Sequence, residues 1–383
     1  MRKYKNRLLD FTWIVVLLIA PVLVVGCGDD DKEEAKEYKI AWISKGVDNS
    51  VFKAGYQGAL LKAKELTDAG PDKVTLIYDT ARPKDATVEE QLPVLEAAVN
   101  LPVDGIGISA TNVTALDATI NAAVAKGIKV MTWDSDAPAS DRFTYLGVSN
   151  TEGGTLAARA LAKKVITDTP TRTAGNFVIL SGESGAANLN DRINGFKAGL
   201  AAANTALGTT FNADTVYYVT GESGALQAQM MELILGSTDV DPVNDAEGTA
   251  VTTIDNLAGI FLVGAWALFD EELSASLPLW KAAGTKPVAE RVYTAAFDTL
   301  PIQLDYMEAG QLHVLIGQKY WGWGYDTIQM IYNVLKGTKT YEKAWTDSGI
   351  DVICTEAGRS LMATMWDSYD FTQALPDCDL VAE

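Results

Sequence analysis

The chain has one histidine, His313, and three cysteines, Cys27, Cys354 and Cys378, among 383 residues. That leaves no set of soft ligands for a Cys/His zinc site and no spare imidazole for a Ser-His-Asp triad. Basic residues are scarce as well, 31 Lys and Arg against 50 Asp and Glu, for a formal charge of −19. Such a body is repelled by nucleic acid and by an anionic membrane surface. The one long apolar run, Phe11 to Gly26, has 16 uncharged residues and contains Pro21, short of the roughly 20 that span a bilayer as a helix. Phosphate loops are missing too. Gly182-Glu183-Ser184-Gly185-Ala186 and its repeat Gly221-Glu222-Ser223-Gly224-Ala225 lack both the lysine of a nucleotide-binding loop and the Gly-x-Ser-x-Gly of a hydrolase elbow, and read as turns. Gly105-Ile106-Gly107 has no third glycine and reads as an ordinary strand end.

What is present begins with an address. Arg2, Lys3, Lys5 and Arg7 precede the apolar run, the profile of a signal peptide. The run ends in Val24-Val25-Gly26-Cys27, which resembles a bacterial lipobox. The resemblance implies cleavage after Gly26 and lipidation of Cys27, whose two acyl signals suffice for stable anchoring. The plainer alternative is an uncleaved N-terminal anchor with an incidental cysteine. In both cases the body is exported, anchored to a bacterial membrane and facing the periplasm or the cell exterior. Loss of residues 1–26 removes a net charge of +3 and leaves 357 residues at −22. Residues 27–37, rich in Asp and Glu, read as an acidic tether. Outside the cytoplasm Cys354 and Cys378, with 23 residues between them, are expected to form a disulfide.

From Tyr38 strand and helix patterns alternate. Lys39–Ile43 reads as a strand, and Phe52, Tyr56, Ala59, Leu60, Ala63 and Leu66 follow helical spacing. Strands are expected at Val74–Tyr78, Gly105–Ile108, Ile128–Trp133 and Tyr145–Val148, with helices at Val88–Asn100 and Ala115–Ala125. A similar block follows: helices at Glu152–Val165, Asp191–Ala203 and Gly224–Leu235, strands at Asn176–Ser181, Val216–Val219, Ile260–Val263 and Val292–Ala296. The fold class is α/β, two doubly wound parallel-sheet lobes. Gly236 to Ala258, rich in Asp, Thr, Asn and Gly, reads as a surface insertion.

Ligands of open parallel sheets bind beyond the carboxyl ends of the strands. The residues there are Ser44, Asn49 and Phe52 after the first strand, Asp134-Ser135-Asp136 after Trp133, Asn188, Asn190 and Arg192 after Ser181, and Phe297-Asp298. Gln318 lies beside Tyr320, Trp321 and Trp323. Carboxylates, amides, one guanidinium and flat aromatic faces suit the hydroxyls and C–H face of a sugar ring or polyol. Each also has a plainer reading. Asp134 and Asp298 are placed to cap helices, Arg192 to make an exposed ion pair, the tryptophans to fill the core, and His313 to serve structure.

The chain resembles the ribose/galactose-type periplasmic sugar-binding proteins, substrate-capturing components of ATP-driven uptake systems with the type 1 periplasmic binding protein fold. The resemblance covers roughly Tyr38 to Gly337. It rests on Ser44…Asn49-Ser50-Val51-Phe52…Gly55-Tyr56-Gln57-Gly58-Ala59, Thr132-Trp133-Asp134-Ser135-Asp136-Ala137-Pro138, Gly147-Val148-Ser149-Asn150, Asn188-Leu189-Asn190-Asp191-Arg192-Ile193-Asn194-Gly195-Phe196, Phe297-Asp298 and the Gln318 segment. It implies an N-terminal lobe of residues 38–148 plus 319–348 and a C-terminal lobe of 149–318 plus 349–383, joined by three hinge strands. Crossings are implied near Val148-Ser149, Gln318-Lys319 and Ile350. It further implies that Asp134 and Asp298 accept hydrogen bonds from sugar hydroxyls, that Arg192 donates, that Gln318 adds an amide, and that Asn49 and Phe52 close a wall. Trp133, Trp266 and Trp321 are candidate stacking faces.

Two departures bear on the ligand. Ribose binders carry Asp-Arg where this chain has Asp134-Ser135, which removes one guanidinium and argues for a different sugar. An asparagine common in the family is absent from Gly264-Ala265-Trp266-Ala267-Leu268-Phe269, so Trp266 replaces a hydrogen bond with a face. Glu222, in a loose match, is a minor candidate. The implied protein is not an enzyme. It is a lipid-anchored monomer that needs no cofactor or metal, captures a monosaccharide or polyol and delivers it to an ABC-type permease. The alternative is a sensor that presents its ligand-bound form to a signalling receptor. A carboxylate-dependent glycosidase is disfavoured, because Asp134 and Asp298 match a binding pattern.

Overall fold

Thirteen strands alternate with helices in a computed structural model that describes residues 35–380 apart from 47–49, 78–82, 84–86, 113, 183–185, 220–223, 270–276, 369 and 379. Cys27, the signal segment, Asn49 and Glu222 lie outside the described residues. The strands are β1 (Glu37–Ile43), β2 (Lys73–Ile77), β3 (Gly105–Ile108), β4 (Lys129–Trp133), β5 (Tyr145–Gly147), β6 (Ala174–Ser181), β7 (Thr210–Asn212), β8 (Val216–Tyr218), β9 (Leu257–Val263), β10 (Tyr293–Phe297), β11 (Val314–Gln318), β12 (Thr346–Asp347) and β13 (Ile350–Ile353). Ten α-helices are described: α1 (Ser50–Ala69), α2 (Val88–Asn100), α3 (Asp117–Ala125), α4 (Asn150–Asp168), α5 (Ala187–Leu207), α6 (Gly224–Ile234), α7 (Pro278–Thr285), α8 (Pro301–Glu308), α9 (Tyr320–Lys336) and α10 (Glu356–Ser368).

Local chemistry sets several boundaries. Ser149 caps α4 by accepting from Glu152 N at 3.2 Å, and Thr87 caps α2 by accepting from Glu90 N at 3.3 Å. α9 stops at Gly337, whose φ of 68° is cheap only for glycine. β9 is buried along its whole length, as expected of a parallel strand covered on both faces.

The strands form two sheets. The first has the order β12-β5-β4-β3-β1-β2; the second runs β13-β11-β10-β9-β6-β7, with β8 also on β6. Setting aside β12 and β13, each is a doubly wound parallel sheet whose first strand is interior, β1 between β2 and β3, and β6 between β9 and the pair β7 and β8. β13 is antiparallel to β11. The chain passes between the sheets at Val148-Ser149, at Lys319 and at Ser348-Gly349. Both sheets lie in one compact unit, Lys36–Glu383.

The structure extends the sequence reading in three places. α5 begins at Ala187, four residues ahead of the expected start. β7, β11, β12, β13, α7, α8 and α10 are additional elements. The Gly236–Ala258 segment is only partly superficial. Asp245 is buried, accepting from Glu247 N (3.0 Å) and Thr249 N (2.8 Å) on Oδ1 and from Tyr218 N (3.2 Å) on Oδ2, and Val251 is buried in the core. Cys354 and Cys378 form the expected disulfide, with Cα atoms 5.9 Å apart.

Candidate ligand-binding site

Two aspartates at strand ends anchor the candidate site. Asp134 follows β4 and Asp298 follows β10, and both adopt positive φ, 58° and 77°. That region is uncommon for a residue other than glycine and marks positions held by their surroundings. Here each backbone N–H is held by the neighbouring strand: Asp134 N donates to Leu146 O of β5 at 2.9 Å, and Asp298 N to Ile316 O of β11 at 2.8 Å.

Around Asp134 the first sheet assembles donors. Ser109 Oγ, just past β3, donates to Oδ2 at 2.7 Å, and Lys45 Nζ stands 3.0 Å from the same oxygen. Lys45 also donates to Ser135 Oγ. Tyr145 OH donates to the Asp134 carbonyl at 2.8 Å; burial, then the Asp134 and Asp136 carboxylates, push this phenol well above its usual range. Asp136 is committed elsewhere, paired with the buried Arg142 guanidinium. Beneath, Gln91 fixes the strand ends, donating to Ser44 O (3.0 Å) and Ser109 O (2.8 Å) while accepting from Thr111 N (2.9 Å).

Around Asp298 the second sheet does the same. Gln318 Nε2 donates to Oδ1 at 2.9 Å and Tyr320 OH at 2.8 Å. Burial, reinforced by the Asp298 charge, raises the Tyr320 phenol far above its usual range, so it stays a donor. Arg192, buried on α5, donates from Nε to Asn150 Oδ1 at 2.9 Å, and its guanidinium lies 3.8 Å from the centre of the Phe297 ring. Its Nη1 is buried with no hydrogen-bond partner. Burial lowers its pKa, against the attraction of Asp298, Tyr320, Asp134 and Tyr145. A strand-end carboxylate from each sheet thus acts on this one guanidinium.

The other expected residues are placed as follows. Ser44 is buried at the end of β1, its Oγ without a hydrogen bond. Phe52 is buried edge-on to Trp133, with ring centres 5.9 Å apart. Trp133 is corrected as a stacking face: it is fully buried and stacked on Trp42 at 4.4 Å, so neither ring face reaches solvent. On α5 Asn188 is exposed and Asn190 half-buried. Trp266 opens a 3-10 turn, Trp266–Phe269, and its side chain lies outside the described residues. Trp321 is half-buried, stacked on Tyr325 at 4.5 Å, and lines a cavity of about 230 Å³ together with Gln318 and Tyr320. Asp134, Arg192 and Asp298 do not line that cavity.

Lys45, Ser109 and Tyr145 belong to the cluster but are not marked by the sequence, which points to Tyr320 only as an aromatic neighbour of Gln318 and to Asn150 only as part of the Gly147–Asn150 motif. Ser109 had the same signal as the others, a polar residue directly after a strand. Lys45 restores a cation beside the Asp134-Ser135 pair, where the family's arginine is absent. Among the described residues no group of three His, Cys, Asp or Glu side chains could hold a metal ion, and no helix is long and apolar enough to cross a membrane.

Residues 40–339 match the model of the periplasmic binding protein domain. The chain belongs to the periplasmic binding protein family. Proteins of this family bind their ligands and are not enzymes. Among solved structures the chain is similar to an ABC transporter solute-binding protein from Burkholderia graminis in complex with D-arabinose, at 25% identity and TM-score 0.59, covering 85% of this chain and 97% of that one. It shares its fold with the arabinose-binding protein AraP from Geobacillus stearothermophilus (23% identity, TM-score 0.61, 88% and 99% covered). A sugar-binding protein of a sugar ABC transporter from Bacillus halodurans also has this fold (23%, 0.62, 88% and 100%).

Proposed function

We propose that this periplasmic binding protein captures a monosaccharide or related polyol between a lobe of residues 38–148 plus 319–348 and a lobe of 149–318 plus 349–383, and delivers it to an ABC-type permease. The observation that carries this reading is Arg192, a buried guanidinium with an unused N–H that is attracted by Asp298 of one sheet and Asp134 of the other. A buried unpaired donor costs free energy until something accepts from it, and a hydroxylated ring can accept from Arg192 while donating to both carboxylates. A ligand that touches both lobes favours the closed arrangement by its differential affinity for it. Ser44, Asn49, Phe52, Asn188, Asn190, Trp266 and Gln318 are proposed as walls of the same cleft. Binding of D-arabinose by the Burkholderia protein and of arabinose by AraP supports a pentose as the first candidate. The N-terminal sequence supports export and anchoring through lipidated Cys27, with the protein acting as a monomer.

A thermal-shift screen of pentoses, hexoses, deoxy sugars, polyols and amino acids tests the reading. A ligand at about 100 times its Kd adds about 2.7 kcal/mol of stability. A shift with one sugar supports the proposal; a shift only with a non-sugar retires it. A second reading, presentation of the loaded form to a receptor, is supported by the fold likeness to XylFII in the XylFII–LytSN complex (22% identity, TM-score 0.54, covering 83% of this chain and 97% of that one). Pull-down of a membrane receptor rather than permease subunits by the sugar-loaded protein favours it.

A further inference from the structure

The cavity of about 230 Å³ lies between the first turns of α9, the third crossing and the C-terminal tail. Its charged lining is acidic on balance: Asp326 of α9 and Asp351 of β13 against Lys319 alone. Lys319 is already paired with Asp351. Asp326 carries no hydrogen bond or ion pair from a described residue, and its carboxyl is pushed up by burial, only partly offset by Lys62. Lys62 is itself held by Glu65 at 2.7 Å and sits 3.8 Å from the centre of the Tyr325 ring. The buried Ser348 Oγ also has no partner. Trp321, Phe371, Met362 and Met365 give the wall soft and aromatic surface beside the polar Thr299, Gln318 and Gln373. An unpaired carboxylate beside aromatic faces and thioethers selects for positive charge spread over an apolar body, and the chain's overall charge of −19 draws cations toward it.

We propose that this cavity is a second ligand site, distinct from the Asp134–Arg192–Asp298 cleft, that takes a small organic cation: a substituted ammonium held by Asp326 and seated on Trp321 and Phe371. Two residues link the sites. Gln318 and Tyr320 line the cavity and donate to Asp298, so an occupant abuts the groups that orient that carboxylate. Coupling to sugar affinity rests on the function proposed above; cation binding does not.

Calorimetry on the full chain in mild detergent, without sugar, tests the site with choline and with its neutral isostere 3,3-dimethylbutan-1-ol. Choline is expected to bind with one-to-one stoichiometry and the isostere not to bind at the same concentration. Asp326→Asn, a change of charge at constant size, should weaken choline by at least about tenfold, and Trp321→Leu should weaken it independently. Asp134→Asn should leave choline binding as it is. No heat with choline, equal binding of the isostere, or unchanged affinity in Asp326→Asn overturns the proposal. Loss of choline binding in Asp134→Asn also overturns it, by moving the cation into the cleft. A chain that binds choline but no sugar keeps the site and retires only the sugar reading.

Discussion

Asp134 and Asp298 occupy equivalent places in the two halves of the chain. Each directly follows an aromatic residue at the end of a parallel strand, Trp133 of β4 beside β5 and Phe297 of β10 beside β11. Each has positive φ, and each gives its N–H to the following parallel strand. The triplets Trp133-Asp134-Ser135 and Phe297-Asp298-Thr299 are thus two copies of one device, a carboxylate turned out of a strand end at some backbone cost. The buried Arg192 guanidinium feels both.

Asparagine tolerates positive φ nearly as well as aspartate, so Asp134→Asn and Asp298→Asn separate charge from backbone. Both variants are expected to melt close to the wild type and to bind the sugar at least about tenfold more weakly, the loss of one charge-assisted hydrogen bond. Alanine at either position should lose affinity and stability together, since it lacks the αL tolerance. Calorimetry and thermal melts on the four proteins decide it; full affinity in either asparagine variant removes that carboxylate from the site.

Lys45→Met tests whether a lysine from the β1 loop does the work of the missing arginine. The Lys45–Asp134 pair is partly exposed, with side chains 22% and 15% accessible, so its removal should change stability by less than about 1 kcal/mol. Sugar affinity should fall several-fold, and more steeply at low salt, where the pair is less screened. An affinity change that is the same at all salt concentrations argues against the cation.

Strand–helix alternation was legible because parallel strands covered on both faces read as continuous apolar runs, as in β9, Leu257-Ala258-Gly259-Ile260-Phe261-Leu262-Val263. What was not legible is held by partners rather than by composition. β12 is Thr346-Asp347, without an apolar residue, and exists only through pairing with Leu146 and Gly147. Asp245, in a stretch whose composition reads as surface, is buried because its carboxylate accepts three backbone N–H groups. At the proposed site, the strand-end rule singles out Asp134, Arg192 and Asp298. It does not separate Trp133, buried and stacked on Trp42, from a tryptophan with an open face, since both occupy the same kind of position in the chain. Lys45 and Tyr320 act through contacts across the fold, which local pattern does not carry.

The single histidine ties stability to pH. His313 is buried against Tyr293, with Nδ1 accepting from Thr294 N at 3.2 Å. Burial, with Arg291 and Lys164 nearby and only Asp168 opposing, lowers its pKa from 6.5 to about 3. The unfolded chain therefore takes up a proton that the folded chain refuses. Stability is fully present above pH 6.5 and falls as pH drops toward 3, at up to about 1.4 kcal/mol per pH unit. His313→Asn keeps an acceptor for Thr294 and does not titrate. Between pH 7 and 5 the wild type should lose about 2 kcal/mol more than the variant in urea titrations; parallel losses would assign acid sensitivity to other groups.

Two glycines hold the helices that enter each half from the other. α9 begins after the second crossing and lies on α1, and a Cβ on Gly324 would stand 1.7 Å from Gly55 O. α4 begins after the first crossing and lies on α5, and a Cβ on Gly154 would stand 2.0 Å from Arg192 O. Gly→Ala in a helix ordinarily stabilises by up to about 1 kcal/mol. Here the neighbour is backbone, which cannot step aside as a flexible side chain can, and overpacking of this kind costs about 1–3 kcal/mol or more. The clash outweighs the propensity gain, so both Gly324→Ala and Gly154→Ala should lower unfolding free energy in urea. They should differ in function. Gly154→Ala displaces the backbone that carries Arg192 and should weaken sugar beyond its loss of stability. Gly324→Ala moves the helix that starts with Tyr320, whose hydroxyl donates to Asp298 and accepts from Thr299 N. Sugar titrations of the two variants, compared at equal folded fraction, therefore read how tightly each crossing helix is coupled to its own strand-end aspartate. Equal affinity in both would mean that the helices carry stability alone.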